Sequence, residues 1–66
     1  MNIDNIKFRY LLSKKGVSTR QICKDLNLSI NTLYNWLYKG VKVPMPKAMV
    51  LAEYLETNLE NISVMG

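Results

Sequence analysis

The chain has 66 residues and a net charge of +4, which suits one small domain and leaves no room for a deep cleft between lobes. It has no His and a single Cys, so an internal disulfide, the usual zinc sites and His-activated nucleophiles are excluded. The five carboxylates show no acid–base spacing, and no apolar run approaches the roughly 20 residues that span a bilayer. We therefore expect a cytoplasmic protein with no enzymatic activity, no cofactor or metal and no membrane association.

Positive charge is concentrated in the first two thirds of the chain. All nine cations lie between Lys7 and Lys47, where only Asp4 and Asp25 oppose them, so residues 1–47 carry a net charge of +7. Residues 48–66 contain three Glu and no cation, which gives −3. This asymmetry is typical of a face that binds a polyanion, although a merely solubilising surface has the same composition.

Helical periodicity predicts an all-α domain of five helices. The first helix runs from about residue 3 to residue 15 and stops at Gly16. The second covers about residues 18–26, with Ser18 and Gln21 as a capping box and Asn27 as a left-handed stop. The apolar stripe expected on the first helix consists of Ile3, Ile6, Phe8, Leu11 and Leu12.

The third helix, predicted over about residues 29–39, begins at the N-cap Ser29 and is closed by Gly40. Residues 41–46 form a loop, because Pro44 and Pro46 forbid a continuous helix. A fourth helix follows to about residue 55, then a short fifth helix capped by Asn58 and an extended tail over residues 63–66. The predicted core positions of the third and fourth helices are Leu33, Trp36, Leu37, Ala48, Leu51, Ala52 and Leu55, and the fifth helix contains Leu59 and Ile62.

Only three residues separate the second and third helices, a spacing typical of a helix-turn-helix. On the third helix, Asn31, Asn35 and Tyr38 point away from the core stripe, with Ile30 and Tyr34 beside them. Asn can pair with the edge of adenine and Ile can pack on a thymine methyl, although exposed Asn side chains can also be simply solvated. Tyr34 and Tyr38 are compatible with contacts to phosphate, to bases or to a partner protein.

Four cations flank this helix pair and are candidates for phosphate contacts: Arg20, Lys39, Lys42 and Lys47. Free backbone N–H groups at the starts of the second and fourth helices are further candidates. Contacts of this kind predict binding that weakens steeply with salt.

Over about residues 6–63 the chain resembles the phage repressor and Cro-type (XRE-like) helix-turn-helix domains. The resemblance rests on Lys15-Gly16-Val17-Ser18-Thr19, Ile22-Cys23-Lys24-Asp25-Leu26, Leu28-Ser29, Thr32-Leu33, Trp36 to Gly40, Leu51-Ala52-Glu53-Tyr54-Leu55 and Asn58-Leu59-Glu60-Asn61-Ile62. It implies a single compact five-helix lambda-repressor-like domain over residues 1–66 that binds operator DNA as a homodimer.

The resemblance also implies roles for particular residues. Thr19 matches a position that meets phosphate, and residues 29–32 and 35 match positions that face the major groove. With the flanking side chains, the candidate DNA-binding residues are Thr19, Arg20, Ser29, Ile30, Asn31, Thr32, Tyr34, Asn35, Tyr38, Lys39, Lys42 and Lys47.

The chain departs from the family pattern at several positions. Thr19 stands where many members have Gln, and Cys23 replaces a small Ala. Leu12 and Leu37 replace an Arg–Glu pair together, which predicts that they are in side-chain contact.

Two functional hypotheses follow. The first is a Cro-like or repressor-like transcriptional regulator, associated with the nucleoid when bound to DNA. The second is a protein-interaction module of the same fold, similar to an antirepressor or antitoxin. For the expected homodimer, we place the interface at the acidic end, where the alternative is ordinary core and a frayed tail. The interface candidates are Tyr54, Leu59, Val64 and Met65.

Overall fold

The structure is a computed structural model that describes residues 1–64. It contains four α-helices and a short 3₁₀ turn over Leu59–Asn61. The helices are α1 (Asn5–Lys15), α2 (Thr19–Leu26), α3 (Ile30–Tyr38) and α4 (Met45–Tyr54). The predicted all-α class is confirmed, while the predicted fifth helix is only this 3₁₀ turn. Its hydrogen bonds reach three residues back, and the chain becomes extended at Ser63, where it meets Ile3 in an antiparallel bridge.

Helix α1 starts two residues later than the periodicity predicts. The carboxylate of Asp4 accepts hydrogen bonds from the N–H groups of Ile6 (2.9 Å) and Lys7 (3.1 Å), which makes Asp4 the N-cap. The side chain of Ile6 is 76% exposed, so its assignment to the apolar stripe was wrong. Two residues on a helix are about 200° apart, so burial of Phe8 turns Ile6 to the opposite side.

The predicted stops of α1 and α2 are confirmed. Gly16 (φ 79°) and Asn27 (φ 56°) are both left-handed. The N–H of Val17 bonds to the carbonyl of Leu12 at 3.0 Å, and that of Leu28 to the carbonyl of Cys23 at 2.8 Å. These six-to-one bonds define Schellman motifs.

One core joins all four helices, and it contains the predicted inward positions of α3 and α4 together with Ile62. Leu12 and Leu37 are both buried in this core, as their predicted contact requires. Cys23 is buried as expected, and burial raises the pKa of its thiol, which keeps it protonated and unreactive. Leu59 is only partly buried, at the edge of the core.

The extended N-terminal residues form backbone hydrogen bonds with the loop before α4 and with the C-terminal segment. Met1 and Val43 exchange two backbone bonds, with the Met1 nitrogen 2.9 Å from the Val43 oxygen and the Val43 nitrogen 2.7 Å from the Met1 oxygen. The N–H of Val64 bonds to the carbonyl of Asn2 at 3.0 Å, so the predicted extended tail is present as far as Val64. The remainder of that prediction, residues 65–66, lies outside the described residues.

Two residues after α4 ends, the backbone adopts a conformation that the side chain there disfavours. Glu56 has φ 55°, and the N–H of Thr57 bonds to the carbonyl of Ala52 at 3.0 Å, as in the other two Schellman motifs. A left-handed backbone costs a residue other than Gly about 1–2 kcal/mol. We expect Glu56→Gly to raise the free energy of unfolding by about 0.5–1 kcal/mol, measured by urea denaturation.

Glu56 also forms an ion pair with Lys15 at 3.5 Å, in which its own side chain is 82% exposed. An exposed pair of this kind contributes at most about 1 kcal/mol and often less. Glu56→Gln is therefore the control, because it removes the charge and keeps the backbone strain. A Glu56→Gly protein no more stable than Glu56→Gln would contradict the strain argument.

Candidate nucleic-acid interface

The two serines predicted to start the helices of the helix-turn-helix do so. The hydroxyl oxygen of Ser18 accepts from the N–H of Gln21 at 3.1 Å, and that of Ser29 accepts from the N–H of Asn31 at 3.2 Å. Only half of the predicted capping box is formed, because the Gln21 amide donates to Asp25 (2.9 Å) instead. Short capped helices on either side of a left-handed residue 27 give the compact geometry of a helix-turn-helix.

Helix α3 contacts the rest of the domain through one buried face and through hydrogen bonds at its C-terminal end. Its predicted stripe of Leu33, Trp36 and Leu37 is buried. The Asn5 amide nitrogen donates to the carbonyl of Leu37 at 3.3 Å, and the N–H of Val41 donates to the carbonyl of Asn35 at 3.3 Å. Asn5 was not identified from the sequence, because its hydrogen-bond partner lies 32 residues away and no local pattern indicates the contact.

The opposite face of α3 is open to solvent along its length. Asn31, Tyr34 and Tyr38 are exposed, and Asn35 is half-buried. The side-chain amides of Asn31 and Asn35 make no hydrogen bond within residues 1–64. The two tyrosine rings pack edge to face, with centroids 5.8 Å apart and planes at 68°. This face therefore presents two free amides beside an ordered aromatic pair.

Three further candidates lie at the N-terminal end of α3. Ile30 is half-buried and packs against the core, so only part of its side chain is available to a base. Thr32 is also half-buried, while Ser29 is exposed and its oxygen accepts the cap hydrogen bond, which leaves its hydroxyl hydrogen free to donate. Ile30 and Thr32 are therefore less accessible to a ligand than the exposed side chains of the outer face.

The flanking cations are exposed and make no ion pair in the described part of the chain. They are Arg20 in the first turn of α2, Lys39 at the end of α3, Lys42 in the loop and Lys47 in the first turn of α4. The loop is anchored on both sides of Lys42, since Val41 bonds to α3 and Val43 is buried against Met1. The buried Val43 was not among the predicted core residues.

Other cations are turned toward the acidic end of the chain. The ammonium of Lys7 bonds to the backbone oxygens of Ser63 (3.2 Å) and Glu60 (3.5 Å), and Lys15 pairs with Glu56. The charge of these two lysines is thus partly satisfied within the protein, unlike that of the cations that flank α3.

The start of α2 offers backbone donors as well. Thr19 is half-buried and Arg20 is exposed. The first N–H groups of a helix have no intrahelical partner, and the Ser18 hydroxyl occupies that of Gln21 alone. The N–H groups of residues 19 and 20 are therefore available to an anion.

A polar contact ties α2 to α4. The hydroxyl of Tyr54 donates to the carboxylate of Asp25, and this hydrogen bond, with some burial, raises the pKa of Tyr54 above 10. The ammonium of Lys15 lies 5.3 Å from the centre of the Tyr54 ring. Because the bond needs the protonated phenol, its contribution to stability is present at neutral pH and is lost as the pH rises through this raised pKa.

A capped helix pair with an open, acid-free outer helix and flanking cations defines a helix-turn-helix nucleic-acid-binding domain. Comparison with protein-family models matches residues 7–65 to the Cro/C1-type HTH DNA-binding domain. The chain belongs to this family, which confirms the resemblance drawn from its motifs. Comparisons with curated proteins and with solved structures gave no match.

Metal sites and membrane spans are both absent from the described part of the chain. No group of three or more His, Cys, Asp or Glu in residues 1–64 is placed to hold a metal ion. None of the described helices has the length and apolar character needed to cross a membrane.

Proposed function

We propose that this protein is a sequence-specific transcriptional regulator of the Cro or repressor type. It acts by occupancy, with two subunits covering the half-sites of an operator. The observation that carries the proposal is the outer face of α3, where the free amides of Asn31 and Asn35 lie one turn apart on a helix seated by its buried stripe. Such a regulator needs no catalytic group and works in the cytoplasm, on the nucleoid when bound to DNA.

The candidate residues divide into base readers and backbone contacts. Asn31 and Asn35 pair with adenine edges in the major groove, while Ile30 and Thr32 pack at its wall. Tyr34 and Tyr38 reach the sugar–phosphate backbone at the rim. The phosphates are held by Arg20, Lys39, Lys42, Lys47, the hydroxyls of Thr19 and Ser29, and the first N–H groups of α2.

The experiment that tests the proposal is fluorescence anisotropy with the duplex that flanks the protein's own gene and with random duplex. We expect the first complex to be at least about 10³ times tighter than the second. Equal and weak binding of both duplexes, repeated with a randomised duplex library, would contradict sequence-specific recognition.

The salt dependence of binding tests the phosphate contacts. Replacing Lys39, Lys42 and Lys47 together by Gln is expected to flatten the slope of log K against log salt by about 0.9 for each phosphate that is no longer neutralised. The affinities for specific and random duplex should fall together, because phosphate contacts carry no sequence information. Lys14→Gln is the control, since Lys14 is exposed and lies at the end of α1. An unchanged slope in the triple variant would remove these residues from the interface.

The tyrosine pair favours a second candidate function, a protein-interaction module. Tyr34 and Tyr38 form an ordered aromatic surface on α3, and aromatic side chains are enriched at protein interfaces. In that case Tyr34→Ala with Tyr38→Ala abolishes partner binding, and no duplex shows salt-sensitive specific binding.

A further inference from the structure

A groove lies between one side of α1 and the segment that follows α4, and we call it the α1 groove. Its volume is about 580 Å³, within the range of about 300–1,000 Å³ that is usual for small-molecule sites. Helix α1 lines it with Lys7, Tyr10, Leu11, Lys14 and Lys15. The first four follow the i, i+3, i+4, i+7 spacing that places side chains on one face of a helix. None of the lining residues is among the candidate DNA contacts.

The segment after α4 forms the other wall of the α1 groove. Leu55 is buried and, with half-buried Leu11, supplies an apolar part of the lining. The Asn61 amide donates to the hydroxyl oxygen of Thr57 at 2.9 Å, which leaves the Thr57 hydroxyl hydrogen available to a ligand. The groove therefore combines apolar lining with a few polar groups, as small-molecule sites usually do.

Positive charge exceeds negative charge along the α1 groove. Its lining contains three Lys and one Glu, which leaves a net charge of +2. The Lys7 ammonium donates to two backbone oxygens, at 3.2 and 3.5 Å, which hold it in place without neutralising it. Lys14 is exposed and makes no ion pair within residues 1–64, whereas Lys15 is paired with Glu56 at 3.5 Å. An anion in the groove therefore meets two ammonium groups that have no carboxylate partner in the described part of the chain.

We propose that the α1 groove binds a small organic phosphate that also carries an aromatic ring. The phosphate lies against the ammonium groups of Lys7 and Lys14. A phosphate monoester carries a charge of about −1.5 to −2 at pH 7, which balances the +2 of the lining. Its three terminal oxygens also accept more of the hydrogen bonds that the lysines and Thr57 offer than the two oxygens of a carboxylate do.

Tyr10 is the residue that favours a ring on the ligand. Its side chain is 64% exposed and lines the groove beside Leu11. Aromatic side chains stack on flat rings such as nucleobases, and a bare anion would leave this apolar part of the groove unfilled. The inference does not depend on the proposed function, because it uses none of the residues assigned to DNA.

Titration of the ¹⁵N-labelled protein with adenosine monophosphate, followed by NMR, tests the inference. We expect saturable amide shifts in α1 and in residues 55–61, with an affinity that falls as salt is added. Adenosine lacks the phosphate and inorganic phosphate lacks the ring, so each should bind at least about tenfold more weakly. No shifts at these residues up to about 10 mM, which is ten times the Kd of a weak site, would overturn the inference. Equal binding of either fragment would do so as well.

Single-charge variants locate the phosphate. Lys14→Gln should weaken binding about two- to fivefold, and Glu56→Gln should strengthen it by a similar factor, as expected for one exposed charge. Lys24→Gln is the matched control, because Lys24 is exposed on α2 and lies outside the groove. Equal losses in Lys14→Gln and Lys24→Gln would indicate a general charge effect and contradict a defined site.

Tyr10→Ala tests the position of the ring. It should weaken the binding of adenosine monophosphate and leave that of inorganic phosphate unchanged. An equal affinity of Tyr10→Ala and wild type for adenosine monophosphate would exclude the ring contact.

Competition separates the α1 groove from the DNA-binding surface and from a site for a protein. Saturating random duplex should leave the shifts of α1 and residues 55–61 in place. Displacement of adenosine monophosphate by duplex would assign the groove to DNA, and tighter binding of a poly-glutamate peptide at the same residues would assign it to an acidic protein. Either result overturns the inference. Loss of specific DNA binding with an occupied groove would instead reject only the regulator.

Discussion

Replacing Asn31 and Asn35 together by Ala is expected to lower affinity for the specific duplex by about thirtyfold or more, with random-duplex binding unchanged. A good bidentate contact to a base contributes about 1–3 kcal/mol of discrimination, and each 1.4 kcal/mol is about tenfold in affinity. Neither side-chain amide makes a hydrogen bond within the described residues. Removing them is therefore expected to weaken DNA binding without breaking a contact inside the protein. Anisotropy titrations with both duplexes measure the effect.

The fold should tolerate this double substitution. Ala is a better helix former than Asn, and the Asn35 carbonyl that holds the N–H groups of Lys39 and Val41 belongs to the main chain. Thermal unfolding of the variant should match wild type or exceed it. Asn58→Ala is the matched control, because Asn58 is exposed and its side chain makes no cap bond.

If the double variant binds the specific duplex as tightly as wild type, Asn31 and Asn35 do not recognise bases. The outer face of α3 would then be free for a protein partner. An equal loss on both duplexes would instead indicate that the two amides bind the DNA backbone.

Replacing Leu33 by Ala is expected to cost about 2–5 kcal/mol of the free energy of unfolding. Leu33 is fully buried on the inner face of α3, so the cavity opens directly under α3. Small domains are stable by only about 0.05–0.15 kcal/mol per residue. This single change therefore removes much of the stability of the whole chain.

Urea denaturation followed by circular dichroism measures this loss. Met49→Ala, a comparable truncation at an exposed position of α4, should change stability by no more than about 0.5 kcal/mol. Saturating operator should raise the melting temperature of Leu33→Ala, because a ligand that binds only the folded state stabilises it. Equal losses at Leu33 and Met49 would contradict the placement of α3 on the core.

The helix-turn-helix and its outer face were predictable from local sequence. Ser18, Ser29, Gly16 and Asn27 act through hydrogen bonds that close within six residues along the chain. The spacing of apolar residues also predicted the inner face of α3, because helix geometry places residues three and four apart on the same face. The family resemblance, carried by these residues, was confirmed by the match over residues 7–65.

Other features were decided by contacts between distant residues, which no local pattern encodes. Pairing with Met1 across 42 residues buries Val43, and Asp25 holds Tyr54 across 29 residues. Glu56 is left-handed although it is neither Gly nor Asn, because Leu55 before it is buried in the core and the N–H of Thr57 after it bonds back to the carbonyl of Ala52. The packing of Tyr54 and Leu59 against the core likewise depends on the tertiary fold. Side-chain type and spacing thus determine the helix-turn-helix, whereas long-range packing decides where α4 turns and which residues of the loop and the C-terminal segment are buried.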